Sequence, residues 1–572
     1  MESELDAILT SSVPRLIDNV PPINYGFSTG FFFGFHGLNN RGLKSRLHRL
    51  YLLYCPSLKN GYFLDSSLSS FNSPLGGRGT DGQIREEAEI GQEAGAVWLY
   101  RKNHLSSAAA TGDIKKGEGK QHQAKKGVLS SNKAATATVG KEVQSSQGSR
   151  VLRIGIASRY IYTHAVGFIV EGVVRELSSA GYIVEVFAID GYLSRSTDVL
   201  VNKIYKHAHV VHSVAADLSL FVDTIRNADL DVLFYPDLGL DPIPYFAAFS
   251  RLAPIQITGM GHQDTSGIST IDYFISDELD PPGHETYYTE KLIRMPGMGT
   301  CFYDRFISYA SQLQNPRTGI LERAKYIESI GKNVHSSHRM LPSSFSFVVD
   351  IPRASHVYII GQPLYALHPS FDQIIIQILT NDQLGQIIFL DKHPAKDSWI
   401  QLFTSRFPEI IRSRLKFHSD LAFSDYLKAI GAGHVVLDPF PVSLYEPSFI
   451  ALSIGIPVIT MPSKASAMNN RMTLSLLSRL GWNGDGLVVS TPAEYVELAL
   501  KLTHKPKVRS KFVERIISTR HKLFDCSKVV PSWRSFFQYA LERKSKEMAA
   551  PAGESGEEGK VTIILPEPRG VE

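Results

Sequence analysis

The sequence predicts an α/β protein of two Rossmann-like, doubly wound lobes, and three observations carry that reading. Within Val435–Pro462 (VVLDPFPVSLYEPSFIALSIGIPVITMP) two apolar, β-branched runs flank a turn and a short amphipathic segment ending at Gly455. That order, strand, loop, helix, strand, is a parallel βαβ unit. Strand-like and helix-like segments begin to alternate abruptly at Val151, and the alternation restarts after residue 345. Two such series in 572 residues predict two parallel sheets covered by helices. The lobes are expected to face a cleft, because open sheets bind ligands outside the carboxyl ends of their strands.

Taken in chain order, residues 1–59 read as an N-terminal helical segment, with basic and apolar residues alternating at helical spacing from Leu43 to Leu53 and a stop before Pro56. Residues 60–150 are rich in Gly, Ser, Lys, Ala and Gln, and read as a disordered insertion that buries too little apolar area to offset its ordering entropy. The first lobe spans 151–307. VLRIGIAS is a strand, VGFIVEGVVRELSSAG a helix closed by Gly181, YIVEVFAID a strand, Leu218–Asn227 a helix and DVLFYPD a third strand. Residues 308–344 are polar and read as an inter-lobe linker or insertion. The second lobe spans 345–544: FSFVVD and VYIIG as strands, FDQIIIQILTN as a helix, GQIIFLD and RLKFH as strands, then the βαβ unit and further helices. Residues 545–572 read as a flexible tail.

Composition narrows the function classes. With 43% hydrophobic and 20% charged residues and a net charge of +4, the chain reads as globular, with neither a nucleic acid nor a membrane implied as partner. No apolar run reaches the roughly 18 residues of a membrane span, and the acidic start MESELDAILTSS does not resemble a signal peptide. The three cysteines, Cys55, Cys301 and Cys526, have no metal-ligand spacing. Their odd, sparse count suits free thiols in a reducing compartment, so the cytoplasm, or the nucleus, is the expected location.

Longer strings then become specific. DVLFYPDLGLDPIPYFAAFSRLAPIQITGMGHQDTSGISTIDYFISDELDPP, with the later YYTEKLIRMPGMG, resembles the catalytic region of the O-GlcNAc transferase and SPINDLY type of glycosyltransferase. So do VLRIGIASRYIYTHAVG, GQPLYALHPSFD and VVLDPFP with the following ALSIGIPVITMPS, and the helix GFHGLNNRGLKSRLHRLY resembles the segment preceding that region. The resemblance covers about residues 151–540. It implies a GT-B architecture and metal-free, inverting transfer from a UDP-sugar to a Ser or Thr hydroxyl of an acceptor protein, with no cofactor. Such an enzyme stabilises the departing diphosphate with cations, hydroxyls and a helix N-terminus.

The resemblance also assigns residues. His164 matches a histidine of the active-site region, and His262 lies with Thr265 and Ser266 in the GHQDTSG turn beside the sugar or acceptor. Gln362 matches a glutamine that contacts the nucleotide, and Tyr426 an aromatic or histidine position that packs on the uracil. Ser443 and Ser448 flank the phosphate loop. Asp438, at the end of a buried strand, is expected to cap its turn through backbone N–H groups. The departures are as informative. Ala366 replaces a lysine that pairs with the diphosphate, Ser443-Leu444-Tyr445-Glu446-Pro447-Ser448 replaces a Gly-rich turn followed by Thr-Thr, and Ile450 replaces an acidic ribose ligand. Pro447 has no N–H to donate and Glu446 repels phosphate. Lys392, Lys464 and Arg471 are the candidates to restore a cation. Two functions stay open: a protein O-glycosyltransferase with an altered phosphate site, and a catalytically inactive relative that binds proteins.

Overall fold

Short β-branched runs that are buried on both faces become parallel strands, and both lobes of the computed structural model are built on them. The structure describes residues 29, 39–59, 98–101, 150–189, 198–262, 264–302, 355–391, 397–419, 421, 423–443, 445–462, 471–482, 486–549 and 563–564. Helix α1 (Arg41–Tyr54) precedes the first lobe, and β1 (Trp98–Arg101) lies within the segment expected to be disordered. Next come β2 (Arg153–Ser158), α2 (Ala165–Ser179), β3 (Ile183–Ile189), α3 (Val199–His207), β4 (Val210–Val214), α4 (Leu218–Arg226), β5 (Val232–Tyr235), α5 (Pro242–Ala247), β6 (Ile255–Gly259), β7 (Tyr273–Asp277) and β8 (Lys291–Met295). Within the first lobe the sequence reading named no element for α3, β4, α5, β6, β7 or β8. Residues 210–214 (VVHSV) are too short and too interrupted by polar groups to stand out, and their pairing with β3 supplies what the pattern lacks.

The second lobe contains β9 (His356–Ile360), α6 (Asp372–Asn381), β10 (Gly385–Leu390), α7 (Asp397–Ser405), α8 (Glu409–Arg412), β11 (Leu415–His418), α9 (Phe423–Ala432), β12 (Val435–Leu437), α10 (Tyr445–Ser453), β13 (Val458–Ile459), α11 (Met472–Arg479), α12 (Pro492–His504) and α13 (Pro506–Thr519). Helix α14 (Val529–Ala549) follows, and β14 (Ile563–Ile564) pairs with β8 of the first lobe. Helix and strand thus occupy part of the expected tail. The strand expected at FSFVVD and the 308–344 linker lie outside the described residues.

The first sheet has the order β1-β4-β3-β2-β5-β6-β7-β8-β14, parallel except for β1, and the second the order β11-β10-β9-β12-β13, wholly parallel. Leaving aside the antiparallel edge strand β1, in each sheet the chain starts in the middle, runs to one edge and returns to build the other. The reversals fall between β2 and β5 and between β9 and β12, so crevices are expected at the carboxyl ends of those four strands.

The lobes are joined by specific contacts. Ser475 Oγ of α11 donates to Asp277 Oδ2 of β7 (2.7 Å), and Arg471 Nε donates to the Leu279 carbonyl (3.2 Å). Helix α14 returns to the first lobe, where the Trp533 indole N–H donates to the Gly299 carbonyl (2.7 Å) and Phe536 packs edge-on to Tyr273. Cys301 and Cys526 are joined in a disulfide with Cα atoms 5.2 Å apart, which corrects the expectation of free thiols; only Cys55 keeps its thiol. A separation of 225 residues hides that pairing from the sequence. The cysteine argument for a reducing compartment lapses with it. No helix among the described residues is long and apolar enough to cross a membrane.

Candidate functional site

The second-lobe reversal places Gly361 and Gln362, just past β9, beside Asp438, just past β12. Gln362 is buried; its Nε2 makes a long contact to the Val442 carbonyl (3.5 Å), and its Oε1 has no hydrogen-bond partner. Tyr426 is also buried and donates its hydroxyl to the Gly361 carbonyl (2.9 Å), so it braces the end of β9 from below. Pro447 presses on the same backbone: a Cβ at Gly361 would lie 2.8 Å from Pro447 Cβ and 2.9 Å from the Tyr426 hydroxyl.

Ser443 and Ser448 belong to a buried hydroxyl chain. Ser443 Oγ and Thr460 Oγ1 each donate to Asp438 Oδ2 at 2.8 Å. Thr473, in the first turn of α11, donates its N–H to Ser443 Oγ (3.2 Å) and its hydroxyl to Ser448 Oγ (2.6 Å). Asp438 therefore gathers hydroxyls rather than backbone N–H groups, which corrects its expected capping role. Burial pushes its carboxyl up to about 7 against the pull of these donors, and its Oδ1 has no partner. The chain stiffens the loop, and it consumes hydroxyls that a phosphate would otherwise meet.

The departures settle into this frame. Ala366 is buried in a short 3₁₀ turn, and Ile450 is buried in the apolar core on α10. Of the candidate cations, Arg471 is used across the cleft, and Lys392 and Lys464 lie outside the described residues. Sequence reasoning passed over Arg479. Its Nη1 donates to the Tyr445 hydroxyl (3.0 Å) at the start of α10, and the guanidinium carbon lies 2.9 Å from where a Cβ on Gly297 of the first lobe would stand.

In the first lobe the reversal brings Ser158, at the end of β2, to Asp237, after β5, with a hydrogen bond of 2.9 Å. Asp237 is buried, its Oδ1 has no partner, and burial pushes it up to about 7, Ser158 pulling down and Asp241 adding repulsion. Of the predicted histidines, His262 borders this turn, and His164 reaches it through Tyr160, whose hydroxyl donates to the Leu240 carbonyl (3.4 Å). His164 is the N-cap of α2: its Nδ1 accepts the Val166 N–H (3.2 Å), and its ring stacks on Tyr160 at 4.5 Å. His262 faces Gly239, where an added Cβ would lie 3.5 Å from the ring. Burial and the nearby Lys44 ammonium hold that imidazole well below its usual pKa, hence neutral.

Thr265 and Ser266 do not join them at the cleft. Both are buried on Glu290: Thr265 Oγ1 donates to Oε2 (2.6 Å), while the Ser266 N–H (2.8 Å) and hydroxyl donate to Oε1. Helix α1 seals this loop, with Asn40 donating to Asp264 (3.1 Å), Lys44 4.0 Å from the same carboxylate and His48 at the Gly267 carbonyl (3.2 Å). The sequence held a signal for this docking, because Asn40, Lys44 and His48 put three polar groups on one helical face. Asp237 and Glu290 lie inside the DVLFYPD and YYTEKL strings but were given no role there, and Thr473 lies in none of the resembling strings.

No family model matches the chain. A protein of Petunia hybrida, described as a probable UDP-N-acetylglucosamine–peptide N-acetylglucosaminyltransferase SPINDLY, is 24% identical over 363 residues, 63% of this chain and 35% of the relative. The UDP-glucose:protein N-β-glucosyltransferase of Actinobacillus pleuropneumoniae serotype 5b is 23% identical over 335 residues, 58% of this chain and 48% of the relative. A solved structure of a Thermobaculum terrenum O-GlcNAc transferase mutant superposes with a TM-score of 0.52 at 20% identity, covering 70% of this chain and 69% of its own. The two lobes resemble a glycosyltransferase region of the O-GlcNAc transferase and SPINDLY type. The fold is the GT-B arrangement. The chain spans about a third of the length of the SPINDLY relative.

Proposed function

We propose that the chain is a UDP-sugar-dependent protein glycosyltransferase that transfers, with inversion, to Ser or Thr of acceptor proteins in the cytoplasm or nucleus. The observation that carries this reading is the second-lobe reversal, where Gln362 Oε1 and Asp438 Oδ1 are both buried and both lack a partner. Two partnerless buried polar atoms at the carboxyl ends of adjacent strands cost about 1–3 kcal/mol each unless a ligand's polar groups meet them. In the proposed reaction the acceptor hydroxyl forms a bond to the anomeric carbon, the bond from that carbon to the diphosphate oxygen breaks, and UDP leaves with the electron pair. The hydroxyl proton goes to a neutral base in the first lobe, with His262 the candidate and His164 holding the neighbouring turn. Arg479 is the cation best placed to approach the diphosphate from α11.

The second reading, a protein-binding relative without activity, is favoured by the closed hydroxyl chain and by Pro447 packed on Gly361. Calorimetric titration of UDP into the full chain, without metal, separates the two. Micromolar binding weakened at least tenfold in Gln362→Ala, followed by transfer of a labelled sugar to protein, is the expected result. A folded sample with no binding at millimolar UDP would leave the second reading.

A further inference from the structure

At the opposite end of the second lobe, away from the cleft, two imidazoles that no motif connects converge on one carboxylate. His356 opens β9, Asp382 follows α6 as its C-cap, and His504 ends α12. We propose that His356, Asp382 and His504 form a binding site for a divalent transition-metal ion of the zinc class, which ties these three elements together.

The geometry is that of a ligand set. His356 Nδ1 lies 2.8 Å and His504 Nε2 3.1 Å from Asp382 Oδ2, and the three donor atoms all fall within 4.8 Å of one another. Tetrahedral coordination at about 2.0–2.1 Å per bond requires donor atoms roughly 3.3 Å apart, so a small rotation of the partly exposed His504 ring admits the ion. Two imidazoles and one carboxylate select zinc, nickel or copper over magnesium or calcium, which prefer oxygen alone. The surroundings orient the carboxylate as a ligand: the Tyr358 hydroxyl donates to Oδ2 (2.8 Å), and the Leu384 N–H donates to Oδ1 (3.1 Å). Two guanidinium groups lie nearby and bond to backbone: Arg414 donates to the Asp382 carbonyl (2.8 Å), and Arg509 donates to the Leu502 (2.8 Å) and Thr503 (3.2 Å) carbonyls. His434, 6.0 Å from His356 ring to ring, accepts the Val357 N–H through Nδ1 and lines the site from within. His504 is 38% exposed in its side chain, which leaves a path in for the ion and a fourth position for water. Binding replaces the imidazole-to-carboxylate hydrogen bonds by coordinate bonds, and any proton displaced from an imidazole passes to solvent.

The test uses the untagged full chain, stripped with chelator under non-reducing conditions and titrated with zinc chloride by calorimetry. One equivalent bound at micromolar or tighter affinity, with a rise in melting temperature and an anomalous scattering peak between the three side chains, is expected. His504→Ala, at a partly exposed helix end, should weaken binding at least a hundredfold without unfolding the protein, and His356→Gln should do likewise. Two results overturn the assignment. One is no zinc uptake at 100-fold molar excess, which leaves a hydrogen-bonded clasp. The other is binding unchanged in His504→Ala, which moves the ion elsewhere.

Discussion

The two strand reversals are built alike and finished differently. Each ends in a buried aspartate, Asp237 after β5 and Asp438 after β12, with one oxygen taken by a serine hydroxyl and the other without a partner. In the second lobe the hydroxyl bond is one of two, and it continues through Thr473 to Ser448, so the loop is fixed from several elements. In the first lobe Ser158 stands alone at the carboxylate, and the neighbours are imidazole rings and the Arg159–Asp241 ion pair. Under the proposed function, the stiffer reversal would be the side that holds one nucleotide in one pose. Under the same proposal, the less braced one would be the side where a proton moves and acceptors vary.

The largest expected effect is on stability against pH. Both aspartates are raised from 3.8 to about 7 by burial, so the folded chain keeps their protons where the unfolded chain has released them. Stability therefore falls as pH rises from about 4 to 7, and it is level above the folded value. A three-unit shift corresponds to about 4 kcal/mol per carboxyl. Denaturant titrations at pH 4, 5.5 and 7.5 should show that decline, and Asp438→Asn and Asp237→Asn should each remove a share of it. A profile unchanged in both variants would mean that neither carboxyl is buried as described.

How much of this was legible follows from what each feature depends on. The strands on either side of both reversals could be read because they are runs such as VVL and VLFY, whose burial is written in their composition. Gln362, Ser443 and Ser448 were placed at the right end of the right strands. What they bond to was not legible. Thr473 reaches Ser443 across 30 residues, and Ser266 reaches Glu290 across 24, so the same hydroxyls read equally well as ligand donors or as scaffold. The Cys301–Cys526 bridge and the His356–Asp382–His504 cluster are hidden for the same reason: the fold, not the spacing, creates them.

A smaller effect tests whether the GHQDTSG turn is scaffold rather than site. Glu290 accepts three bonds from Thr265 and Ser266, and charged acceptors of this kind contribute about 1.5–3 kcal/mol each, without simple additivity. Glu290→Ala should cost about 3 kcal/mol in urea unfolding while leaving UDP affinity within twofold. Loss of UDP affinity at unchanged stability would return Thr265 and Ser266 to the binding site.

The smallest effect bears most directly on the contrast between the lobes. Ser158→Ala takes from Asp237 its one hydroxyl donor and from the Tyr160 N–H its acceptor at 2.9 Å. Ser443→Ala also takes an acceptor from a backbone N–H, that of Thr473, but it leaves Asp438 with Thr460 and the Thr473 hydroxyl with Ser448, whereas Ser158→Ala leaves Asp237 with no hydroxyl donor. An unmet buried group costs more than a bond whose partners have alternatives. The first substitution should therefore cost about 2.5 kcal/mol and the second about 1.5 kcal/mol, measured by urea unfolding at pH 7.5, where both carboxyls have begun to ionise. The order should narrow at pH 5, because each carboxyl then carries its own proton and has less need of a donor. Equal costs at both pH values would show that the two reversals are braced alike, and the distinction between a rigid nucleotide side and a looser acceptor side would have no energetic basis.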